Sequence, residues 1–398
     1  MKIVFLAPFG IRPKGTVVAR MLPLAVELQR LGHQVVIVAP PYTNPEDSGT
    51  TEILRGVRLV NVELPRGGKA LGAPLLAWRL LKTSLAERPD LVHLFKPKGY
   101  GGLAAMLLLC CGRLGIRMPR FFLDTDDWEG RGGMNELHRY SWAEKRLYEF
   151  QEQWLPRRAE GVTVASRMLE DAVRGMGVTA ERLLYLPNGV EDQGLGDGLA
   201  VRRRWGIPPE VPVLLLYTRF FEFSQEKLHW IFAEVHRRVP QARLLVVGQG
   251  RHGEEEQLRQ AADRDGFAEA LILAGWVEGA AIPDYLAAGD VAIYPFADTL
   301  LNRAKCPAKL TELLRSSVPV VADGVGQIAE YLESGVTGLL CRPDDWQDMV
   351  DKTVEMLENS QLRRQFGTAG RRRLLDQFSW QKLARALDGL YRCTADKP

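Results

Sequence analysis

The sequence predicts an α/β protein of two Rossmann-like, doubly wound parallel-sheet domains facing a cleft. Three observations predict it. Short Val/Ile/Leu runs alternate with segments of helical periodicity, the rhythm of βαβ units. That rhythm stops at a glycine-rich stretch, Gly194–Gly198, read as the linker, and then restarts. The chain has 398 residues, 46% of them hydrophobic and 25% charged, which suits two cores better than one.

In the first half, Ile3–Ala7 reads as a buried strand, followed by a Gly/Pro/Lys loop from Pro8 to Thr16 and a helix through Leu31. Gly32-His33 ends that helix and Val35–Ala39 is the next parallel strand, which completes a βαβ unit. Leu91–Leu94, Phe121–Asp124, Gly161–Ala165 and Leu183–Leu186 repeat the strand pattern, and Gly101–Cys111 is a buried helix too short to span a bilayer. In the second half, Val213–Tyr217, Arg243–Val247, Ala270–Ala274, Val291–Tyr294 and Val318–Ala322 are strand-like. Helical patterns fill Asp345–Glu358, Gln361–Asp376 and Trp380–Arg392. Ligands in such folds sit at the carboxyl ends of the strands.

Composition narrows the partners. Residues 1–190 carry 26 Lys and Arg against 19 Asp and Glu, whereas residues 191–398 carry 26 against 30. A mildly basic first half suits a phosphate-rich ligand or peripheral contact with an anionic membrane face. It lacks the Lys/Arg blocks interleaved with aromatics that nucleic acid requires. Five scattered cysteines form neither a disulfide framework nor a zinc site, and MKIVFLAPFG is not built as a signal peptide. A reducing cytoplasm is the expectation.

The stretch Asn302–Asp323 holds the most informative pattern. Pro307 is placed to start a helix, Leu310, Leu313 and Leu314 make its apolar stripe, and a short buried strand follows. Lys309 and Glu312 then lie roughly 60° apart on one flank. A cation and a carboxylate at the start of a helix suit an anionic, hydroxyl-rich ligand; a surface i,i+3 ion pair is the other reading. Gly248-Gln249-Gly250-Arg251-His252-Gly253 matches the dinucleotide fingerprint, yet Glu254, Glu255 and Glu256 would compete with a pyrophosphate for the helix end. A glycine turn that lets a ligand approach the backbone is the alternative. Asp124, Asp126, Asp127 and Glu129 lie at the carboxyl end of a strand, where carboxylates do acid/base work, hold a cation or, in a solvated loop, cap the next helix, and their spacing is no specific metal signature. His93, followed by Lys96 and Lys98, is read as ending its strand, in a structural or a catalytic role. Arg219 closes the first strand of the second half and is suited to a bidentate phosphate contact, whereas Lys227 reads as a surface helix residue.

In this order the pieces resemble retaining glycosyltransferases of the GT-B fold, in the large family that includes sucrose and mannosyl transferases. Leu31-Gly32-His33-Gln34-Val35, Pro89-Asp90-Leu91-Val92-His93 and Pro187-Asn188-Gly189-Val190-Glu191 carry the likeness in the first half. Leu271–Val277 with Ile282–Pro295, and Phe378-Ser379-Trp380, carry it in the second. The resemblance implies an acceptor-side domain at 1–190, a nucleotide-sugar domain at 191–379, and a helix at 380–398 that returns to the first domain. It implies a UDP-, GDP- or dTDP-linked sugar as donor, a glycan or lipid-linked acceptor, and no metal or other cofactor. Arg219 would grip the diphosphate, Glu312 the donor ribose, and Gly15-Thr16 would bring backbone N–H groups to the phosphate or reacting centre; Gly248 and Gly250 would border the donor. Asp126 and Asp127, with Trp128, would face the acceptor, where the family often has a His-Asp pair. Ala304 stands where the family has a first Glu. Lys309, in the subgroup pattern Pro307-Ala308-Lys309-Leu310, is the expected second cation in place of Lys227. Two other functions fit the same pieces: a nucleotide-sugar epimerase, and a non-catalytic nucleotide-sugar binder.

Overall fold

The computed structural model describes residues 1–12, 15–66 and 69–393, with only the backbone of 69–71. Pro13 and Lys14 of the first loop lie outside the described residues. The chain divides into two compact units. One comprises Met1–Gly189, Ala304–Cys306 and the segment from Trp380; the other comprises Val190–Arg303 and Pro307–Ser379. The sequence assigned Ala304–Cys306 to the second domain, but these residues group with the first.

The first unit is an eight-stranded sheet of β1 (Lys2–Leu6), β2 (Gln34–Ala39), β3 (Thr51–Leu54), β4 (Val57–Asn61), β5 (Leu91–Phe95), β6 (Arg120–Thr125), β7 (Gly161–Val164) and β8 (Leu183–Tyr185). Its order is β3-β4-β2-β1-β5-β6-β7-β8, and only β3 runs antiparallel to its neighbour. Both faces are buried, because successive side chains of a strand point to opposite sides. Ile3 and Phe5 enter one core cluster, and Val4 and Leu6 the other.

The last helix, Trp380–Cys393, lays Trp380, Leu383, Ala384, Leu387, Leu390 and Tyr391 on the core of the first unit. Three of the motifs noted in the sequence fasten it there. His33 Nε2 lies 2.9 Å from Asp388 Oδ1, and His93 Nδ1 lies 2.6 Å from the Tyr391 hydroxyl. Gly189 runs so close that a Cβ would stand 2.7 Å from the Trp380 ring. His93 is therefore a mid-strand core residue and not a strand-end base. Burial pushes its imidazole down to about 4, so it is neutral at physiological pH.

The second unit is a six-stranded parallel sheet of β9 (Val213–Tyr217), β10 (Arg243–Val247), β11 (Leu271–Gly275), β12 (Val291–Tyr294), β13 (Val320–Asp323) and β14 (Leu339–Cys341). The order β11-β10-β9-β12-β13-β14 is the doubly wound arrangement, which reverses direction between β9 and β12. Gly196 and Gly198 of the presumed linker are packing residues. A Cβ on either would stand 2.2 Å from backbone atoms of Pro283 or Ala287. No helix among the described residues is long and apolar enough to cross a membrane.

Candidate functional site

In the second unit, ligand-facing residues gather where the sheet reverses, as expected for a doubly wound fold. Strand β9 ends at Tyr217, and Phe220 takes a left-handed backbone, φ 67°, while its N–H donates to Thr218 Oγ1 at 2.8 Å. A bulky residue in that conformation is strained, a condition that recurs at functional sites. The bend leaves Arg219 exposed with its guanidinium 5.0 Å from the Phe221 ring centre. The guanidinium of Arg251, on the loop after the neighbouring strand β10, lies 5.5 Å from the same ring. Among the described residues neither arginine has a carboxylate within ion-pair distance.

Helix Ala308–Arg315 supplies the other groups, with Pro307 as its cap residue rather than its first turn. Lys309 and Glu312 meet at Tyr217. The Lys309 ammonium sits 3.4 Å above the centre of the Tyr217 ring, and the Tyr217 side chain hydrogen-bonds Glu312. Burial and the Glu312 carboxylate push the Tyr217 phenol well above its ordinary range. Glu312 Oε2 is buried and has no hydrogen-bond partner among the described residues. A cavity of about 10 Å³ beside Tyr217, Tyr294, Phe296 and Lys309 has room for one water.

Lys227 is not a surface residue. It is 2% exposed, and its Nζ lies 2.7 Å from Asp323 Oδ2, which also accepts from the Phe296 N–H at 2.8 Å. Its charge is held inside the unit. Gly248, at φ 130°, is fixed by sterics, since a Cβ would stand 1.9 Å from the Thr218 carbonyl oxygen. Its N–H donates to Gly275, while the N–H of Gly250 donates to Glu255 Oε1 at 2.7 Å and that of His252 to Glu254 Oε2 at 2.6 Å. The fingerprint loop thus uses its own glutamates where a pyrophosphate would sit.

In the first unit, the sheet reverses between β1 and β5, and there the design is different. The first helix opens with a π-type turn, Val17–Met21, which rotates Arg20 into the interior. Arg20 donates to both carboxylate oxygens of Asp124 at 2.8 and 2.6 Å and to the Leu186 carbonyl at 2.7 Å. Lys96, at the end of β5 and left-handed at φ 65°, places its ammonium 2.8 Å from Asp126 Oδ1, 2.5 Å from Asp127 Oδ2 and 3.4 Å from Glu129 Oε1. Lys98 also bonds Glu129. The Thr16 hydroxyl donates to Asp126 Oδ2 at 3.3 Å, which brings two sequence-assigned segments together. Gly15 packs on Phe9, and its carbonyl accepts from Val18 and Ala19.

Burial, opposed by Lys96 and reinforced by Asp127 and Asp124, pushes the Asp126 carboxyl up to about 6. For Asp127, burial acts upward but Lys96 outweighs it and holds the carboxyl below its usual range. Two adjacent carboxylates therefore titrate apart, Asp126 near pH 6 and Asp127 below the usual carboxylate range. Among the described residues no group of three or more His, Cys, Asp or Glu side chains is arranged to hold a metal. Ala304 is fully buried in the apolar core, and its carbonyl accepts from Ser166 Oγ at 2.7 Å, so a carboxylate there would be desolvated without a partner.

Sequence reasoning missed four of these residues. Lys96 entered only as a neighbour of His93, Arg251 only as a spacer in the glycine fingerprint, and Tyr217 as the end of a strand. No sequence signal marks Arg20, because only the π-type turn directs it inward.

Residues 15–189 match the Glycosyl transferase 4-like domain, and residues 211–359 match the Glycosyl transferases group 1 domain. A glycogen synthase of Mycobacterium tuberculosis is 23% identical over 390 residues, which is 92% of this chain and 88% of that protein. A GDP-mannose-dependent alpha-mannosyltransferase of Mycolicibacterium smegmatis is 26% identical over 376 residues, 92% of this chain and 90% of that one. Among solved structures, sucrose-phosphate synthase of Thermosynechococcus elongatus superposes with a TM-score of 0.75 at 18% identity, covering 99% of both chains. Anabaena Alr3699/HepE in complex with UDP and glucose gives 0.73 at 20% identity, covering 99% of this chain and 100% of that one. With two glycosyltransferase domains in tandem and that fold from end to end, this chain is a glycosyltransferase of the GT-B type.

Proposed function

We propose that the chain transfers a sugar from a nucleotide-sugar donor to a hydroxyl of a glycan or lipid-linked acceptor, with retention of anomeric configuration. The observation that carries this reading is the pair of guanidiniums, Arg219 and Arg251, set on one Phe221 ring without a carboxylate partner. Like charges placed together and left unneutralised favour a multiply charged anion, and a diphosphate fits the fork geometry of arginine.

In this reading Arg219, Arg251 and Lys309 bind the donor diphosphate, and the buried Glu312 Oε2 accepts from the ribose hydroxyls. The acceptor oxygen forms a bond to the anomeric carbon on the face from which the diphosphate departs. The C–O bond to the diphosphate breaks, its electron pair leaves with the phosphate oxygen, and that oxygen takes the acceptor's proton. The cations stabilise the negative charge that grows on the leaving group, which is electrostatic and positional catalysis. Asp127, kept ionised by Lys96, accepts a hydrogen bond from another, non-reacting hydroxyl of the acceptor, with Asp126 and Thr16 beside it. Gly248 and Gly250 shape the loop rather than donate to the ligand. The uneven charges of the two sheet reversals, one with two arginines that have no carboxylate within ion-pair distance among the described residues and one with bridged carboxylates, support assigning donor and acceptor to different units.

The test has two stages. Thermal shift against UDP, GDP, dTDP and their sugars should single out one base, since stabilisation grows with the logarithm of ligand over dissociation constant. A labelled sugar on that base should then pass to an acceptor glycan with its anomeric configuration unchanged. No shift with any nucleotide would overturn the donor assignment. A rearranged donor would make the protein an epimerase, and binding without turnover or donor hydrolysis would make it a binder only.

A further inference from the structure

A concave pocket of about 420 Å³ opens in the first unit between the loop after β6 and the helix Trp142–Trp154. That is the size range of small-ligand sites. Trp128 and Phe150 present aromatic surface to it, and Phe150 stacks on Trp154 with ring centres 5.9 Å apart. Polar groups stand around them: Gln153 is exposed at the wall, and Arg146 Nη1 lies 3.3 Å from Glu149 Oε2. At the floor is Glu152, 3% exposed, whose Oε1 accepts from the Glu129 N–H at 2.6 Å. Gly130 approaches so closely that a Cβ would stand 2.4 Å from Glu152 Oε2.

The chemistry of this lining is selective. Arg146 is already answered by Glu149. Glu152, desolvated, is raised to about 8 and is mostly neutral at pH 7. Arg131 at the rim is the one lining charge left over, so the pocket does not call for a polyanion. An acyl chain fits no better, because it would bury the arginine–glutamate pair without replacing its water. Aromatic faces flanked by amide, carboxyl and guanidinium groups suit a ring with one apolar face and hydroxyls along its edge. The pocket is also joined to the Lys96 cluster by its own chain. Asp127 precedes Trp128 directly, and Glu152 at the floor accepts from the N–H of Glu129, a member of that cluster.

We propose that this pocket seats a sugar unit of the acceptor remote from the reacting hydroxyl, so that the enzyme acts on oligosaccharides in preference to single sugars. The inference rests on the glycosyl-transfer reading and names its acceptor class. Titration calorimetry of the full chain with maltotriose, mannotriose and chitotriose, and with glucose, mannose and N-acetylglucosamine, tests it. At least one trisaccharide should bind ten or more times tighter than its own monosaccharide, because linked subsites act together. Phe150→Ala and Gln153→Ala, both at exposed positions, should each reduce that preference to threefold or less. Equal affinity for trisaccharide and monosaccharide, no binding of any trisaccharide, or a preference untouched by both variants would overturn the proposal. Co-sedimentation with phosphatidylglycerol vesicles that Phe150→Ala abolishes, without trisaccharide binding, would assign the pocket to lipid and overturn it as well. The nucleotide thermal shift on the same preparation separates the two readings. A protein that binds nucleotide but shows no trisaccharide preference loses only this inference, whereas one that prefers trisaccharides but binds no nucleotide loses the donor assignment.

Discussion

Replacing Arg251 by Ala tests the donor reading where it is most exposed. The two guanidiniums flank one ring at 5.0 and 5.5 Å, so they stand within about 11 Å of each other. At that distance in water their repulsion is about 0.4 kcal/mol. Arg251 makes no ion pair among the described residues, and losing its exposed cation–π contact, worth about 0.5–1 kcal/mol, is partly offset by the relieved repulsion, so Arg251→Ala should lower stability by less than about 1 kcal/mol. Ligand binding should respond more strongly. A hydrogen bond to a charged partner is worth about 1.5–3 kcal/mol, which is roughly 10- to 150-fold in dissociation constant. Calorimetry with the preferred nucleoside diphosphate should show that loss for Arg251→Ala and for Arg219→Ala, and the loss should shrink at high salt. The corresponding nucleoside, which has no phosphate, should bind all three proteins alike. A change under threefold in the diphosphate constant for Arg251→Ala, or an equal loss for the nucleoside, would refute the reasoning.

The other predictions concern groups already placed. Lys309→Ala removes a cation–π contact worth about 0.5–2 kcal/mol, yet turnover should fall about 100-fold if the ammonium stabilises the leaving diphosphate; near-normal turnover in a steady-state assay would sink that role. Lys96→Met leaves Asp126, Asp127 and Glu129 without their shared cation, a loss of about 3–5 kcal/mol in urea unfolding at pH 7.5. The depressed Asp127 carboxyl lends stability that is present above the unfolded value of 3.8 and is lost only as pH falls below it toward the folded value, so the penalty of Lys96→Met should be smaller at pH 3 than at pH 7.5. Equal penalties at the two pH values would contradict this. Glu152 works the other way: its folded value, raised to about 8 from 4.5, makes the native state the better proton binder between those limits. Stability should therefore decline as pH rises through that window, and Glu152→Gln should flatten the decline by up to one proton; an unchanged slope would place the carboxyl in water.

Strands with continuous apolar runs were legible, and Val213–Tyr217, Arg243–Val247 and Val291–Tyr294 fall where the pattern put them. What escaped had a physical reason. Strand β3 is a half-exposed edge of four residues, and β14 has only three, so neither carries a periodic signal. The helix Lys69–Ala86 contains Pro74, which argues against a helix. The helix Trp142–Trp154 was findable, because Ser141 and Glu144 form a capping box. At the sites, Arg219, Lys309 and Glu312 were visible as charges at strand and helix ends. Lys227 was misread because its partner Asp323 lies 96 residues away, a distance no local pattern spans. His93 was open to a structural or a catalytic reading, and it and His33, read only as a helix end, both hold the last helix.

The two sheet reversals carry opposite electrostatic designs, and this bears on how one chain handles two unlike substrates. In the second unit Arg219 and Arg251 have no carboxylate within ion-pair distance among the described residues, while Lys227, the next cation after Arg219 in sequence, is neutralised by Asp323. The unit thus neutralises one cation and leaves two exposed on one ring, where their mutual repulsion works against their contacts with Phe221. In the first unit Arg20, Lys96 and Lys98 are all buried against Asp124, Asp126, Asp127 and Glu129, and Lys305 adds to the field that holds the Asp127 carboxyl down. A diphosphate brought there would meet cations already saturated and carboxylates that repel it. A neutral hydroxyl would meet an ionised acceptor, Asp127, beside a carboxyl, Asp126, that changes protonation near pH 6. Under the proposed function, charge alone would sort the anionic substrate to one unit and leave the other to a hydroxyl. Exchanging the signs, with Arg219→Glu in the second unit, should abolish nucleotide binding without creating it in the first.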